Sequence, residues 1–177
     1  DVDGSIENSL HGLVSVVTPA FNSEPTIGGV VESVAAQSAQ VKEHIVVDDG
    51  SSDGTYEQLQ ELKRAHPHLI VERQKHQGAA AARNLGIETA TGRYVAFLDA
   101  DDFWMEDKLL SQCRLMEDHD VGFTYGDYEV IDAESRVSRC ILRMPKTLSY
   151  QDLLRGCPIG CLTAAFNQEW YGKIYMP

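Results

Sequence analysis

The chain has 177 residues, of which 43% are apolar and 24% are charged, the composition of a globular domain with one sizeable core. Its 15 Lys and Arg against 27 Asp and Glu give a formal net charge of −12, which repels polyanions and argues against nucleic acid or an anionic membrane surface as a partner. The four cysteines form no C-x-x-C pair, so we expect buried thiols in a reducing, intracellular setting rather than a zinc site.

The two ends of the chain carry little structural signal. Residues 1–12 lack the basic start and apolar middle of a signal peptide, and we expect them to form a flexible lead-in. No apolar run approaches the roughly 18 residues that a membrane span needs. The last residues, WYGKIYMP, end without a terminating signal, so we expect the sequence to be truncated there.

Strand and helix patterns alternate along the first hundred residues. The β-branched run 13–18 predicts a strand that ends in a turn at Pro19, and the apolar stripe over 27–35 predicts an amphipathic helix. The run 44–49 predicts a second strand, and the T-Y-E-Q pattern at 55–58 is a capping box that opens a second helix. A third strand, a third helix and a fourth strand are predicted over 69–73, 78–90 and 93–99.

The pattern changes after a predicted helix at about 106–118. The stretches VGFTYGDYEVID (121–132) and SRVSRCILR (135–143) are typical of strands in a hairpin or a mixed sheet. The segment 149–152 predicts the cap of a short helix, and CLTAAF (161–166) predicts another strand.

The alternating first half favours a parallel α/β sheet with right-handed crossovers. Ligands of such sheets bind outside the carboxyl ends of the strands. The loops TPAFN, DDGSSDGT and DADD follow predicted strands, so we expect them to converge on one crevice.

The loop DDGSSDGT (48–55) carries more acid than a simple strand-to-helix turn needs. Its residues Ser52, Asp53 and Thr55 are expected to cap the next helix. Capping does not require the acidic pair that opens the loop. The second acid of that pair, Asp49, is well placed to accept hydrogen bonds from the N–H of a nucleotide base or the hydroxyls of a ribose. We favour that role over capping alone.

The stretch HQGAAAARNLG (76–86) has two interpretations. It could be a close-packed helix, small because it lies against the sheet, with Arg83 on the solvent side. Alternatively, the flexible Gln77-Gly78 and the helix N-terminus could receive an anion, with Arg83 and Asn84 as its bidentate partners.

The loop DADD (99–102) crowds three carboxylates at the end of an apolar strand. We expect Asp102 to cap a helix that begins near Phe103. The other two, Asp99 and Asp101, repel each other unless a hard divalent cation lies between them, and oxygen ligands select magnesium, manganese or calcium. Such an ion would also let an acidic protein hold a pyrophosphate.

Together, TPAFN (18–22) with Glu24, VVDDGSSDGT (46–55), GAAAARNLG (78–86) and FLDADD (97–102) resemble the motifs of family 2 glycosyltransferases of the GT-A fold. The resemblance covers about residues 13–130. It implies a Rossmann-like, three-layer α/β/α domain with a mainly parallel central sheet and a smaller mixed acceptor-side region. On this basis 13–177 is one catalytic domain, divided into a nucleotide-sugar-binding half (13–102) and a partial acceptor-side half (103–177).

The resemblance also implies a function. Such enzymes transfer a sugar from a nucleotide donor, most often a UDP-sugar, to an acceptor hydroxyl with inversion, and they use Mg²⁺ or Mn²⁺. The implied acceptor is a saccharide or a lipid-linked saccharide, as in bacterial members that build surface polysaccharides, and the implied place is the cytoplasm, at the inner face of the membrane. Peripheral membrane contact and a homodimer stay open.

The family's donor-binding residues carry over onto matching positions of this sequence. By resemblance, Asp49 contacts the base, Arg83 holds ribose or diphosphate, Asp99 faces the ribose, and Asp101 binds the metal with Asp99 beside it. The complete predicted nucleotide-sugar site is Pro19, Ala20, Phe21, Asn22, Glu24, Asp49, Arg83, Asp99, Ala100 and Asp101.

The general base is missing from this set. An acceptor hydroxyl needs a positioned carboxylate to remove its proton. In similar proteins that carboxylate follows the strand that resembles CLTAAF, whereas here none of Asp127, Asp132, Asp152 and Glu169 stands in that context. We therefore expect the base to lie past Pro177, so that the 177-residue chain binds the donor but transfers the sugar slowly or not at all.

Two other interpretations stay open. A sugar nucleotidyltransferase shares the sheet and the acidic site but should carry a Gly-rich, basic loop where TPAFN stands. A non-catalytic nucleotide-sugar binding module would bind donor without transfer. A dinucleotide-binding oxidoreductase is excluded, because no G-x-G-x-x-G follows the first strand.

Overall fold

A computed structural model of the chain describes residues 11–132 and 138–177. In these residues the strands are β1 (Val14–Ala20), β2 (Glu43–Asp48), β3 (Leu69–Arg73), β4 (Tyr94–Phe97), β5 (Phe123–Thr124), β6 (Tyr128–Ile131), β7 (Ser138–Leu142) and β8 (Ala165–Asn167). The helices are α1 (Ile27–Ala35), α2 (Thr55–Ala65), α3 (Ala79–Thr89), α4 (Lys108–His119), α5 (Tyr150–Arg155) and α6 (Gln168–Tyr171), with a 3₁₀ turn at Cys161–Thr163.

Six strands form the central sheet in the order β3-β2-β1-β4-β8-β5. Strands β1 to β4 are parallel to one another, and β8 runs antiparallel to its neighbours β4 and β5. The mainly parallel sheet predicted from the sequence is therefore confirmed. The predicted hairpin is confirmed as well, since β6 and β7 pair antiparallel in a separate two-stranded sheet.

Apolar clusters cover both faces of this sheet. Every residue of β1 is buried, and successive side chains point to opposite faces, so that Val16 packs with α1, α2 and α4 while Val17 packs with α3. This explains why the parallel strands are continuous apolar runs. The result is the three-layer α/β/α arrangement that the resemblance implied.

Helix α3 has small side chains where it packs closely against the sheet. A Cβ atom built on Gly86 would stand 2.3 Å from Val17 Cγ1, and Ala82 on the same helix is fully buried. The close-packed interpretation of the alanine-rich stretch is therefore confirmed.

Some boundaries differ from the prediction. The expected turn at Pro19 is wrong, because β1 continues through it and Pro19 lies opposite Val47 of β2. Beyond Val17, β1 has no paired residue on β4, so the missing N–H of proline can face the unpaired side. The stretch CLTAAF forms a 3₁₀ turn first, and its strand begins only at Ala165.

Two predicted caps are wrong and one is confirmed. Thr55 is the first residue of α2 rather than its cap, since its hydroxyl accepts from Ser23 N (2.8 Å) and donates to Asp53 Oδ1 (2.6 Å). Asp102 does not cap the next helix, which begins only at Lys108. At α5, Ser149 and Asp152 exchange the expected reciprocal hydrogen bonds.

Candidate functional site

A crevice of about 570 Å³ opens at the carboxyl ends of β1, β2 and β4. Parallel strands end at the same edge of a sheet, and this brings together loops that are far apart in sequence. The predicted donor-site residues that line the crevice are Pro19, Ala20, Phe21, Asn22, Asp49, Arg83, Asp99, Ala100 and Asp101.

Glu24 is the predicted residue that does not line the crevice. Its Oε2 accepts a hydrogen bond from Gly54 N (3.0 Å), and its own N–H donates to Asp53 Oδ2 (3.2 Å). Glu24 therefore ties the loop after β1 to the start of α2. The sequence could not distinguish this contact from a ligand contact, because both use a carboxylate two residues from the TPAFN motif.

Asn22 ties the same two loops together at the mouth of the crevice. It adopts a left-handed backbone conformation (φ 49°), which asparagine tolerates better than most residues. Its N–H donates to Ser51 Oγ (2.9 Å), and its Oδ1 accepts from Ser52 N (2.9 Å). The walls of the crevice are thus cross-linked by short polar contacts.

The acidic pair of the DDGSSDGT loop divides into two roles. Asp48 is completely buried, lies 3.0 Å from Arg73 Nε and accepts from Ser51 N (3.2 Å). It therefore acts as an internal ion-pair partner. Asp49 lines the crevice and is also almost entirely buried.

The Asp49 carboxylate is held by the loop that precedes α3. It accepts from Gln74 Nε2 (2.7 Å), Gln77 N (2.9 Å) and Gly78 N (2.8 Å). Burial by itself raises the pKa of Asp49, but these hydrogen bonds outweigh it and the pKa is lowered. The carboxylate is therefore a fixed negative charge at the base of the crevice.

His76 lines the crevice although the sequence analysis assigned it no role. Its ring stacks on that of Phe21, with centroids 4.2 Å apart, and its Nδ1 lies 2.9 Å from Asp49 Oδ2. The signal that could have found it is its position in H-Q-G, directly before a helix whose N-terminus was already suspected of facing a ligand.

Arg83 lies at the opposite wall and faces inwards. Its guanidinium donates from Nη2 to Asp99 Oδ1, and the expected solvent-side position for the close-packed helix is therefore wrong. Burial by itself lowers the pKa of Arg83, but the hydrogen bond and the charge of Asp99 outweigh it and the pKa is raised. The guanidinium stays positively charged beside the crevice.

Asn84 does not stand beside Arg83 as a second anion ligand. Its Nδ2 donates to Met176 O (2.9 Å), and its Oδ1 accepts from Met176 N (2.6 Å). The amide is therefore occupied by the segment that returns to α3 near residue 176. The predicted Arg83-Asn84 pair is wrong, because neighbouring residues of a helix point in different directions.

The DADD loop lies between the crevice and a second cavity of about 590 Å³, and Asp101 lines both. Ala100 is anchored by a hydrogen bond that its carbonyl accepts from Thr26 Oγ1 (2.6 Å). Asp101 is exposed, whereas Asp102 is partly buried. Burial, together with the charges of Asp101 and Asp99, raises the pKa of Asp102 to about 6. The crowding expected from the sequence is therefore real.

The carboxylates fit a divalent cation only in part. In residues 11–132 and 138–177, no three or more His, Cys, Asp or Glu side chains form a group that could hold a metal ion. Asp101 and Asp99 offer hard oxygen ligands. The pKa of Asp102 is raised first by burial and then by the charges of Asp101 and Asp99, and a cation would offset the second of these causes. An ion here would need its other ligands from substrate and water, as Mg²⁺ and Mn²⁺ sites commonly do.

The four acidic residues weighed as a general base are engaged elsewhere. Asp127 accepts from Met144 N (2.7 Å), and Asp132 pairs with Arg139. The remaining two are Asp152, in the cap of α5, and Glu169, which lies 3.2 Å from Arg93. Of these four, only Asp127 borders either of the two cavities that meet at Asp101.

No helix within residues 11–132 and 138–177 is both long enough and apolar enough to cross a membrane.

The sequence matches a known family along most of its length. The family described as "Glycosyl transferase family 2" matches residues 15–173. The chain is 40% identical over 166 residues to TuaG of Bacillus subtilis, and 38% identical over 165 residues to the UDP-Glc:alpha-D-GlcNAc-diphosphoundecaprenol beta-1,3-glucosyltransferase WfgD of Escherichia coli. Each match covers 93% of this chain, which spans 66% of the length of TuaG and 64% of that of WfgD.

Solved structures of related proteins share the fold. S. aureus TarS 1-349 in complex with UDP has a TM-score of 0.57 at 30% identity, covering 62% of this chain and 33% of that chain. Mannosyltransferase PcManGT from Pyrobaculum calidifontis, in complex with GDP-Man and Mn²⁺, has a TM-score of 0.67 at 24% identity, covering 92% of this chain and 47% of that chain. The fold is the GT-A fold, and the chain belongs to glycosyl transferase family 2.

Proposed function

We propose that this chain binds a nucleotide sugar, in the first place a UDP-sugar, in the crevice and transfers the sugar to an acceptor hydroxyl with inversion. One observation carries the proposal: the buried Asp49 carboxylate, the Arg83–Asp99 pair and the exposed Asp101 all line a single crevice at the carboxyl ends of parallel strands. A base, a ribose and a diphosphate are different chemical groups, and this crevice offers a different kind of contact to each.

The nucleoside lies at the end of the crevice formed by β1 and β2. Phe21 and His76 provide an aromatic surface for a base, and Asp49 provides a carboxylate whose orientation four surrounding groups determine. Every one of those groups would have to shift for Asp49 to turn. Asp49 therefore positions the donor without ordering a side chain at the moment of binding.

The diphosphate lies at the end of the crevice formed by Arg83 and Asp101. As the bond to the sugar breaks, negative charge grows on the departing diphosphate, and the Arg83 guanidinium is already oriented towards that region by Asp99. Asp101, with the second oxygen of Asp99, would hold Mg²⁺ or Mn²⁺, which supplies further positive charge against the leaving group when bound. Because the protein has a net charge of −12, such an ion would add to Arg83 in making this region attractive to a diphosphate.

The relatives support the substrate class. WfgD is named for UDP-Glc as donor and for alpha-D-GlcNAc-diphosphoundecaprenol as acceptor, TarS has been solved with UDP and with UDP-GlcNAc, and TuaG carries a provisional assignment to teichuronic acid biosynthesis. By extension we place this chain in polysaccharide or glycolipid synthesis. Its acceptor is then a saccharide or a lipid-linked saccharide, and its place of action the inner face of the cell membrane.

Titration of UDP with and without Mn²⁺ tests the proposal. Asp101→Ala should weaken Mn²⁺-dependent UDP binding by more than about tenfold, or roughly 1.4 kcal/mol, because it removes the exposed carboxylate that we propose as a ligand of the ion. Isothermal titration calorimetry measures both affinities. The matched control is Asp118→Ala, which removes an exposed carboxylate from α4 outside both cavities.

The outcomes separate the competing functions. Equal UDP affinity with and without Mn²⁺, or an Asp101→Ala variant that behaves as Asp118→Ala does, would contradict the metal-dependent transferase and favour a nucleotide-sugar binding module. A sugar nucleotidyltransferase would instead release pyrophosphate from UTP in the presence of a sugar phosphate, and this can be assayed in the same samples.

A further inference from the structure

The second cavity has the size and position of a binding site. Its volume of about 590 Å³ falls within the range of about 300–1,000 Å³ that is typical of small-ligand pockets. It lies between α4 and the β6–β7 hairpin, and it meets the donor crevice at Asp101. A molecule in this cavity therefore lies next to the place where a bound donor would present its reacting carbon.

Two buried polar atoms of the cavity wall have no hydrogen-bond partner in the described part of the chain. They are Lys108 Nζ and Gln112 Oε1, which lie one helical turn apart on α4. Gln112 Nε2 donates to Thr163 O (2.8 Å), so the unpaired atom of this amide is its oxygen. Leaving a buried donor and a buried acceptor unpaired is costly, and a ligand hydroxyl could satisfy both.

Lys108 is able to reach into the cavity. Its side chain is only half-buried, and the shielded Nζ rests 3.7 Å from the centre of the Trp104 ring. Burial lowers the pKa of Lys108 to about 7. Because no hydrogen bond holds the nitrogen at the indole, rotation about the last bonds of the flexible stem can turn it towards a ligand.

The charge of the wall decides which kind of ligand fits. Five carboxylates line the cavity, those of Asp101, Asp102, Asp107, Asp127 and Glu129, against the single amine of Lys108. Like charges in a cleft repel an anionic ligand. Tyr125 and Tyr128 add aromatic surface, and the Tyr125 hydroxyl is already bonded to Pro145 O (2.8 Å). Carboxylates together with aromatic rings suit a neutral molecule rich in hydroxyl groups.

We propose that this cavity binds a neutral sugar ring of the acceptor, with a ring hydroxyl that accepts from Lys108 Nζ and donates to Gln112 Oε1. The tyrosines cover the apolar side of the ring, and the carboxylates exclude acceptor rings that carry an acid group. The inference rests on the proposed function and makes it more specific, because it names the acceptor class and two residues that select it.

A pair of matched sugars tests the inference. Methyl β-glucoside and methyl β-glucuronide differ only in that a CH₂OH group is replaced by a carboxylate. Each is titrated to high millimolar concentration into the ¹⁵N-labelled 177-residue chain, and the two indole N–H signals are followed by NMR. Trp104 borders the cavity and Trp170 does not, so the second signal is an internal control.

We expect the glucoside to shift the Trp104 signal alone, and the glucuronide to bind at least about tenfold more weakly. Lys108→Met and Gln112→Leu should each weaken glucoside binding by roughly tenfold, since each removes one partner of the hydroxyl. Lys108→Met replaces an unpaired buried amine with an apolar group of similar length, so it should fold. Gln112→Leu also removes the hydrogen bond to Thr163 O, so circular dichroism checks its fold before the titration. Lys63→Met, on the exposed side of α2, should bind as the original chain does.

The result is read beside a UDP titration of the same variants. If UDP binds but the glucoside leaves Trp104 unmoved, or if the glucuronide binds as well as the glucoside, the inference is wrong while the proposed function stands. Unchanged glucoside binding in Lys108→Met and Gln112→Leu would also overturn it. If UDP does not bind the original chain, the proposed function itself has failed.

Discussion

The two cavities that meet at Asp101 are built in different ways. The proposed donor crevice lies at the ends of buried parallel strands, and its walls are cross-linked by the contacts of Asn22 and Asp49. The second cavity is closed by the β6–β7 hairpin, whose residues are mostly exposed, and its wall holds buried polar atoms that have no hydrogen-bond partner in the described part of the chain. The proposed donor side is therefore held mainly by contacts within the chain, with Arg83 Nε as its buried atom that lacks a hydrogen-bond partner among the described residues. The proposed acceptor side has two such atoms, Lys108 Nζ and Gln112 Oε1.

The same substitution in both regions should break or confirm this contrast. Asp49→Asn places an amide NH₂ group against a backbone N–H of Gln77 or Gly78, because both carboxylate oxygens now accept such bonds. We expect a loss of about 3 kcal/mol in the free energy of unfolding. Urea denaturation followed by circular dichroism measures it.

The matched variant on the acceptor side is Asp127→Asn. Its side chain is 44% exposed, and an amide oxygen can still accept from Met144 N. The expected change in the free energy of unfolding is within about 0.5 kcal/mol. Similar losses in the two variants would show that the donor side is no more tightly organised than the acceptor side.

Glycine-to-alanine substitutions at Gly86 and Gly126 compare how closely the two regions are packed. Alanine at Gly86 improves helix propensity by about 1 kcal/mol. However, its Cβ would stand 2.3 Å from Val17 Cγ1 and would force α3 away from β1. Since overpacking costs up to about 3 kcal/mol, we expect a net loss of about 2 kcal/mol.

Gly126, beside the second cavity, is the control for this substitution. A Cβ there would meet nothing within 4 Å. Gly126→Ala should therefore change the free energy of unfolding by no more than about 0.5 kcal/mol. Thermal unfolding of both variants decides the matter, and equal melting temperatures would count against the close approach of α3 to the sheet.

The buried sheet should also respond to acid. Burial, together with the charge of His66, lowers the pKa of His44 from 6.5 to about 3, so the folded chain holds this histidine neutral at pH values where the unfolded chain protonates it. Its stabilising effect is complete above pH 6.5 and falls as the pH falls towards 3. We expect a loss of about 1 kcal/mol between pH 6.5 and 5.5.

His44→Gln should remove that pH dependence, which urea denaturation at the two pH values measures. Glutamine keeps a polar group near Thr18 Oγ1, to which His44 Nε2 is now bonded at 2.9 Å, but it does not titrate. If the variant loses stability with acid as steeply as the original chain, His44 is not the group responsible.

The sequence predicted the parallel half well for a physical reason. Strands buried on both faces must be continuous apolar runs, and their polar loops must emerge at one edge, so the motifs alone located the crevice. The errors occurred where side chains make contacts between loops. The side chains of Glu24 and Asn84 could hydrogen-bond a ligand. In the folded chain, however, Glu24 is hydrogen-bonded to Gly54 and Asn84 to Met176.

By itself, the sequence determined the fold class, the family and the position of the crevice, because these follow from hydrophobic periodicity and from motifs at the ends of the strands. Only the tertiary structure decided which polar groups are free. It paired Asp48 with Arg73, stacked His76 on Phe21, and left Lys108 Nζ and Gln112 Oε1 without a hydrogen-bond partner among the described residues, beside a second cavity. Such pairings join residues that are distant in sequence, and their geometry arises only when the chain has packed.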